Sequence, residues 1–188
     1  ALALRSDYAE AHNNMGVTLQ EQGKLKEAIK AFNKALAIKP DYADAYYNMG
    51  NAFKDQGKME EAREAYKKVL AVNPDYAEAH NNMAITFKDQ GKLEEAIEAY
   101  KKALAIKPDY AEAHNNMGNA FKEQSKLEEA IEAYNKALAI KPDYADAYYN
   151  MGNALNNQGK LEEAIEAYNK ALAIKPDYAK AHNNIGSA

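Results

Sequence analysis

The chain has 188 residues, 47% of them apolar, a formal net charge of −4 and no cysteine. Lysine and glutamate are interleaved, not blocked, which argues against nucleic acid, whose binders carry a basic stripe, and against an anionic membrane surface. Disulfides and thiolate chemistry are excluded, no apolar run reaches membrane-spanning length, and no signal peptide is visible, so a cytoplasmic setting is expected.

The elements recur. Asp7, Asp41, Asp75, Asp109, Asp143 and Asp177 stand 34 residues apart with no insertion or deletion between them. A fixed period of that size means stacked supersecondary units, not one globular core. In chain order, residues 1–8 read as the tail of a preceding unit, with Ala1–Leu4 as its last helical turn, and the chain starting at Ala1 reads as a piece of something longer. Full units follow at 9–42, 43–76, 77–110, 111–144 and 145–178, and 179–188 opens a sixth. Apolar surface at both ends predicts end-to-end self-association, since natural arrays carry polar caps there.

Each unit reads as two helices. The second unit opens with Asp41 and Asp44, an acidic variant of the capping box, as the third does with Asp75 and Glu78. Tyr46, Met49, Gly50 and Phe53 then form one helical face. Gly57 supplies the left-handed residue that ends this helix. Met59, Ala62, Tyr66, Val69 and Leu70 line the second helix, which stops before Pro74. Glu64–Lys68, Glu98–Lys102, Glu132–Lys136 and Glu166–Lys170 have the favourable i, i+4 order for ion pairs.

His80, Met83, Ala84, Phe87, Ala96, Tyr100, Ala103 and Pro108 fall at signature spacings, and the pattern resembles the tetratricopeptide repeat. The resemblance covers the whole chain. It implies an all-α, right-handed α-solenoid of helix-turn-helix repeats whose first helices line a concave groove. Departures are few: Ser125 replaces the inter-helix glycine, Val69 a small alanine, and Ser6 a recurring proline.

Four histidines invite a metal reading, but His12, His80, His114 and His182 each occupy the same packing position of a different unit. No metal, cofactor or catalytic set is expected, so the chain reads as a non-enzyme. The polar face is more informative. Asn48 lies roughly 200° around the helix from Tyr46 and Gly50, away from the buried seam. Its equivalents make a column: Asn14, Asn48, Asn82, Asn116, Asn150 and Asn184, with Asn51, Asn119 and Asn153 one turn on. Asparagine is a mediocre helix former, and its amide offers a donor and an acceptor that suit a peptide unit. The alternative is that these amides bond locally or to the next unit. Tyr47 and Tyr149 replace asparagine on the same face and are candidate ligand contacts.

The column is similar to the repeat domain of the protein O-GlcNAc transferases, whose inner asparagines hold extended peptide substrates; their catalytic domain is absent from these residues. The lysine clamp of the chaperone-tail binders is missing, because the matching positions hold Glu10, Asp44, Glu78, Glu112 and Asp146, or Asn13, Tyr47, Asn81, Asn115 and Tyr149. The resulting expectation is a scaffold that binds an extended segment of a partner protein, neutral or basic in preference. Two alternatives stand beside it: a recognition module excised from an enzyme, and a consensus-derived array without a natural ligand. Replacing Asn82, Asn116 and Asn150 by alanine would then weaken binding and leave the fold intact.

Overall fold

The computed structural model describes residues 2–185. Eleven helices and no strand occur among them, and consecutive helices pack on one another within each of two compact units. The fold is a helical solenoid. The first unit, Ala1–Gln90, holds α1 (Leu2–Glu21), α2 (Leu25–Ile38), α3 (Ala43–Asp55), α4 (Met59–Val72) and α5 (Ala77–Asp89). The second, Gly91–Ala188, holds α6 (Leu93–Ile106), α7 (Ala111–Glu123), α8 (Leu127–Ile140), α9 (Ala145–Asn157), α10 (Leu161–Ile174) and α11 (Ala179–Ile185).

Alanine decides how closely these helices approach. In the first unit Ala28 and Ala52 are fully buried against the ring of Phe32, and in the second Ala130 and Ala154 pack on Tyr134 and Ala164 on Tyr168. Each ring lies where a glycine on the partner helix removes the side chain: a Cβ added to Gly50 would meet the Tyr66 ring at 2.6 Å. Within each unit the core is built of aromatic rings seated in small-residue sockets.

The inter-helix turn behaves as its glycines require. Gly57 ends α3 at φ +74°, and nothing lies near the space its side chain would fill, so the constraint is purely conformational. Ser125 adopts φ +60° at the equivalent place, without the glycine.

Three expectations change. Residues 2–4 are not the end of a separate helix, because α1 runs unbroken from Leu2 to Glu21. Ser6 stands where Pro40, Pro74, Pro108, Pro142 and Pro176 interrupt the other repeats, and it keeps the backbone N–H that proline lacks. Ala1, the start of the expected turn, and residues 186–188, the end of the sixth copy, lie outside the described residues.

The capping box does not form either. The N-cap of α3 is Tyr42, with no side-chain cap, and its carbonyl receives Tyr46 N–H at 3.2 Å. Asp44 instead accepts a hydrogen bond from the Tyr76 hydroxyl at 3.0 Å.

The ion pairs split in two. Glu132–Lys136 and Glu166–Lys170 close at i, i+4, at 2.6 and 2.8 Å, but Glu64 and Glu98 take Lys67 and Lys101 at i, i+3. Where a lysine is available at i+3 it forms the pair; Asn135 and Asn169 at that position leave the pair to i+4. All four are exposed and contribute little to stability.

Candidate functional site

The asparagine column sits on the odd-numbered helices, and its amides are largely occupied by neighbouring repeats. Asn48 Nδ2 donates to Asn13 Oδ1 at 3.0 Å, and Asn150 Nδ2 donates to Asn115 Oδ1 at the same distance. Asn82 Nδ2 donates to Asn51 Oδ1 at 2.8 Å and to the Tyr47 hydroxyl at 3.1 Å. Asn184 Nδ2 donates to Asn153 Oδ1 at 2.7 Å. These are contacts between adjacent repeats, so the alternative of bonding to the next unit describes the geometry.

The consequence differs along the column. Asn82 is 7% exposed, both its N–H groups are engaged, and its Oδ1 receives Asn81 Nδ2 at 3.2 Å. Donating to a peptide would break one of its inter-repeat hydrogen bonds. Asn48 and Asn150 are half-buried and each uses one N–H, so the second N–H and Oδ1 remain uncommitted among the described residues. Asn14 is exposed, and Asn116 and Asn184 are half-buried.

Asn51, Asn119 and Asn153 anchor the column from inside. Their Oδ1 atoms accept the hydroxyls of Tyr66, Tyr134 and Tyr168 at 2.7, 2.8 and 2.9 Å. Burial holds the Tyr66 and Tyr134 phenols well above the ordinary tyrosine range. The repeat that carries Phe32 carries Val17 in place of the asparagine, but the repeat 77–110 keeps Tyr100 with Ile85 at that position, so the pairing is a property of three repeats and not a rule of the sequence.

Tyr47 and Tyr149 belong to matching aromatic clusters. Tyr47 stacks on Tyr76 at 5.1 Å between ring centroids and meets Tyr66 at 6.1 Å. Tyr149 meets Tyr178 at 5.0 Å and Tyr168 at 5.9 Å. Both are half-buried. Tyr76 and Tyr178 donate to Asp44 and Asp146 at 3.0 and 2.7 Å, and burial, followed by these carboxylates, pushes both phenols up.

The histidines face their own turns. Nε2 of His80, His114 and His182 lies 3.1, 3.1 and 2.9 Å from the carbonyl oxygens of Pro74, Pro108 and Pro176. A carbonyl only accepts, so Nε2 carries the proton. Desolvation lowers the His114 pKa, and Lys136 lowers it further against the hydrogen bond to Pro108. No group of histidine and carboxylate side chains among the described residues has the geometry to hold a metal ion.

A family profile described as the TPR repeat matches residues 19–57, 50–91, 86–125, 118–159 and 152–188. The chain belongs to the tetratricopeptide-repeat family. Solved structures share the fold. MamA shares 29% identity, covering 88% of this chain and 96% of that one, with a TM-score of 0.77. PilF of Pseudomonas aeruginosa shares 23% identity over 94% of this chain and 81% of its own, with a TM-score of 0.85. YrrB, described as a TPR protein with an unusual peptide-binding site, shares 24% identity over 92% of this chain and 89% of its own, with a TM-score of 0.73. The last two likenesses are of fold. No curated protein matches the chain.

Within this tetratricopeptide array, sequence reasoning found the polar column but missed the residues that complete it. Asn13 and Asn115 were read only as positions lacking a lysine clamp. The signal was a spacing of 35, one more than the period, which places Asn48, Asn82 and Asn150 beside Asn13, Tyr47 and Asn115. No helix among the described residues is long and apolar enough to cross a membrane.

Proposed function

We propose that this chain is a protein-interaction module, not an enzyme, that holds an extended segment of a partner protein against the polar faces of its odd-numbered helices. The supporting observation is the state of Asn48 and Asn150: half-buried, each steadied by one hydrogen bond to the preceding repeat, each with an acceptor and a second N–H uncommitted. An amide held in this way meets a peptide unit without first losing much freedom. The mode itself follows the resemblance of the column to the O-GlcNAc transferase repeats. Asn14 and Asn116 act with them, while Asn82 and Asn184, whose Nδ2 groups each make two hydrogen bonds, fix the spacing with Asn51, Asn119 and Asn153; Tyr47 and Tyr149 border the segment.

Asp44 and Asp146 are exposed on this face, which favours neutral or basic segments and an affinity that falls as salt rises. A peptide-array screen followed by Asn48→Ala and Asn150→Ala variants tests the reading. Asn13→Ala is the control, because it breaks the same inter-repeat hydrogen bond and leaves the Asn48 amide in place. Binding lost with Asn48→Ala and kept with Asn13→Ala supports the proposal. Equal binding by all variants, or best ligands that are strongly acidic, overturns it.

Self-association is the second mode. Met15 is 55% exposed, unlike the half-buried Met49, Met83, Met117 and Met151. It lines a cleft of about 460 Å³ with His12, Leu19 and Ala31. An end-to-end contact covering Met15 predicts association that rises with concentration and is abolished by Met15→Glu. A wild-type chain that sediments as a monomer throughout removes this mode.

A further inference from the structure

Most repeats cover the tyrosine that precedes each first helix with a lysine of their own. Lys39 Nζ lies 4.7 Å from the Tyr42 ring centroid, Lys107 4.8 Å from Tyr110, Lys141 5.0 Å from Tyr144, and Lys175 5.0 Å from Tyr178. The second repeat, 43–76, breaks the series. Its tyrosine is Tyr76, and the lysine position holds Asn73, whose Oδ1 instead accepts the Asp75 N–H at 3.2 Å. No lysine or arginine lies over Tyr76 among the described residues.

Tyr178 gives the comparison its meaning. It is the twin of Tyr76: its hydroxyl bonds Asp146 as that of Tyr76 bonds Asp44, and its ring packs against Tyr149 as that of Tyr76 packs against Tyr47. With all of this in place, Tyr178 still carries Lys175. The aromatic pair and the carboxylate therefore leave room for a cation on the ring. On Tyr76 the same seat is built, and Asn73 stands where the other repeats carry the lysine. The surroundings remain negative, because Asp44 and Glu78 both act on the Tyr76 phenol, and it is raised by burial and by these charges. A ring face attracts a cation through its quadrupole, more strongly as water is excluded.

We propose that Tyr76, backed by Tyr47 and flanked by Asp44 and Glu78, receives a lysine or arginine side chain from the partner segment. The inference rests on the peptide-binding reading and names the chemistry of one of its contacts. An external cation takes the place that an internal lysine holds in the other repeats, so the repeat with Asn73 is the one that recognises a basic residue.

The probe is a short peptide of alternating lysine and alanine, titrated at low salt and followed by the Tyr76 ring resonances and by calorimetry. Asn73→Lys fills the seat from within, and affinity should fall about threefold to fivefold, the worth of an exposed cation–π contact. Lys175→Asn empties the twin seat and should strengthen binding or add a second site. Asn135→Lys adds the same charge at a position that holds Lys67 and Lys101 in other repeats, and should change affinity little. Absence of binding to the wild type, unmoved Tyr76 resonances, or equal affinities for Asn73→Lys and Asn135→Lys would overturn the proposal. A failure of the peptide-binding reading shows separately, as unchanged binding of array-selected neutral peptides by Asn48→Ala.

Discussion

Asn82 donates one amide hydrogen to Asn51 and the other to the Tyr47 hydroxyl, at 2.8 and 3.1 Å, and so joins the second and third repeats through one buried side chain. An amide in this position is first a structural joint. That changes what its removal does.

Asn82→Ala should destabilise the chain by about 1–3 kcal/mol, the usual cost of leaving buried polar partners unmatched. This replaces the expectation that alanine in the column leaves the fold intact. Asn14→Ala, at an exposed position, should cost far less. Denaturant melts of the two variants give the comparison. Equal midpoints would show that the hydrogen bonds of Asn82 add nothing to stability.

The buried tyrosine hydroxyls make a second test. Asn119→Val leaves the Tyr134 hydroxyl without its partner and should cost about 1–3 kcal/mol. Adding Tyr134→Phe should recover most of that loss, because the double variant copies the native Val17 and Phe32 pair of the first repeat. A double-mutant cycle measures the coupling. A double variant as unstable as the sum of the singles would show that the two side chains are not coupled.

His114 predicts a dependence on pH. Its folded pKa lies below the ordinary 6.5, so the neutral ring is favoured in the native state. The stability it contributes is fully present above pH 6.5. It is lost as pH falls from there toward the lowered folded value, and it levels off below that. His114→Tyr, which places at this position the residue found at Tyr46 and Tyr148, should flatten this part of the profile. Thermal melts across the range check it; an identical pH profile for the variant would count against the assignment.

Ser125 holds a left-handed backbone at φ +60° where Gly23, Gly57, Gly91 and Gly159 serve elsewhere. Ser125→Gly relieves that strain and loses some unfolded-state restriction, for a net gain of up to about 1 kcal/mol. Gly57→Ser should cost a similar amount. Opposite shifts in melting temperature are expected, and shifts of the same sign would refute the conformational account.

The period of 34 and the placement of alanine, aromatic, glycine and proline were enough to give the fold, because each repeat packs mainly on its neighbours and local pattern then dictates tertiary arrangement. Met49, Gly50, Tyr66 and Pro74 could be placed from spacing alone. The polar face could be found in the same way, since a helix fixes which residues share a side. What its amides do was not legible. Asn48, Asn82, Asn116 and Asn150 are identical letters at identical spacings, and their roles differ because the preceding repeat presents Asn13 to one and Tyr47 to another. The pattern at Asp44 is that of a cap, but its carboxylate takes the Tyr76 hydroxyl from the far end of the same repeat. Periodicity specifies which face a side chain occupies, but hydrogen bonds are directional and short, so only the distance between neighbouring helices decides which partner each amide finds.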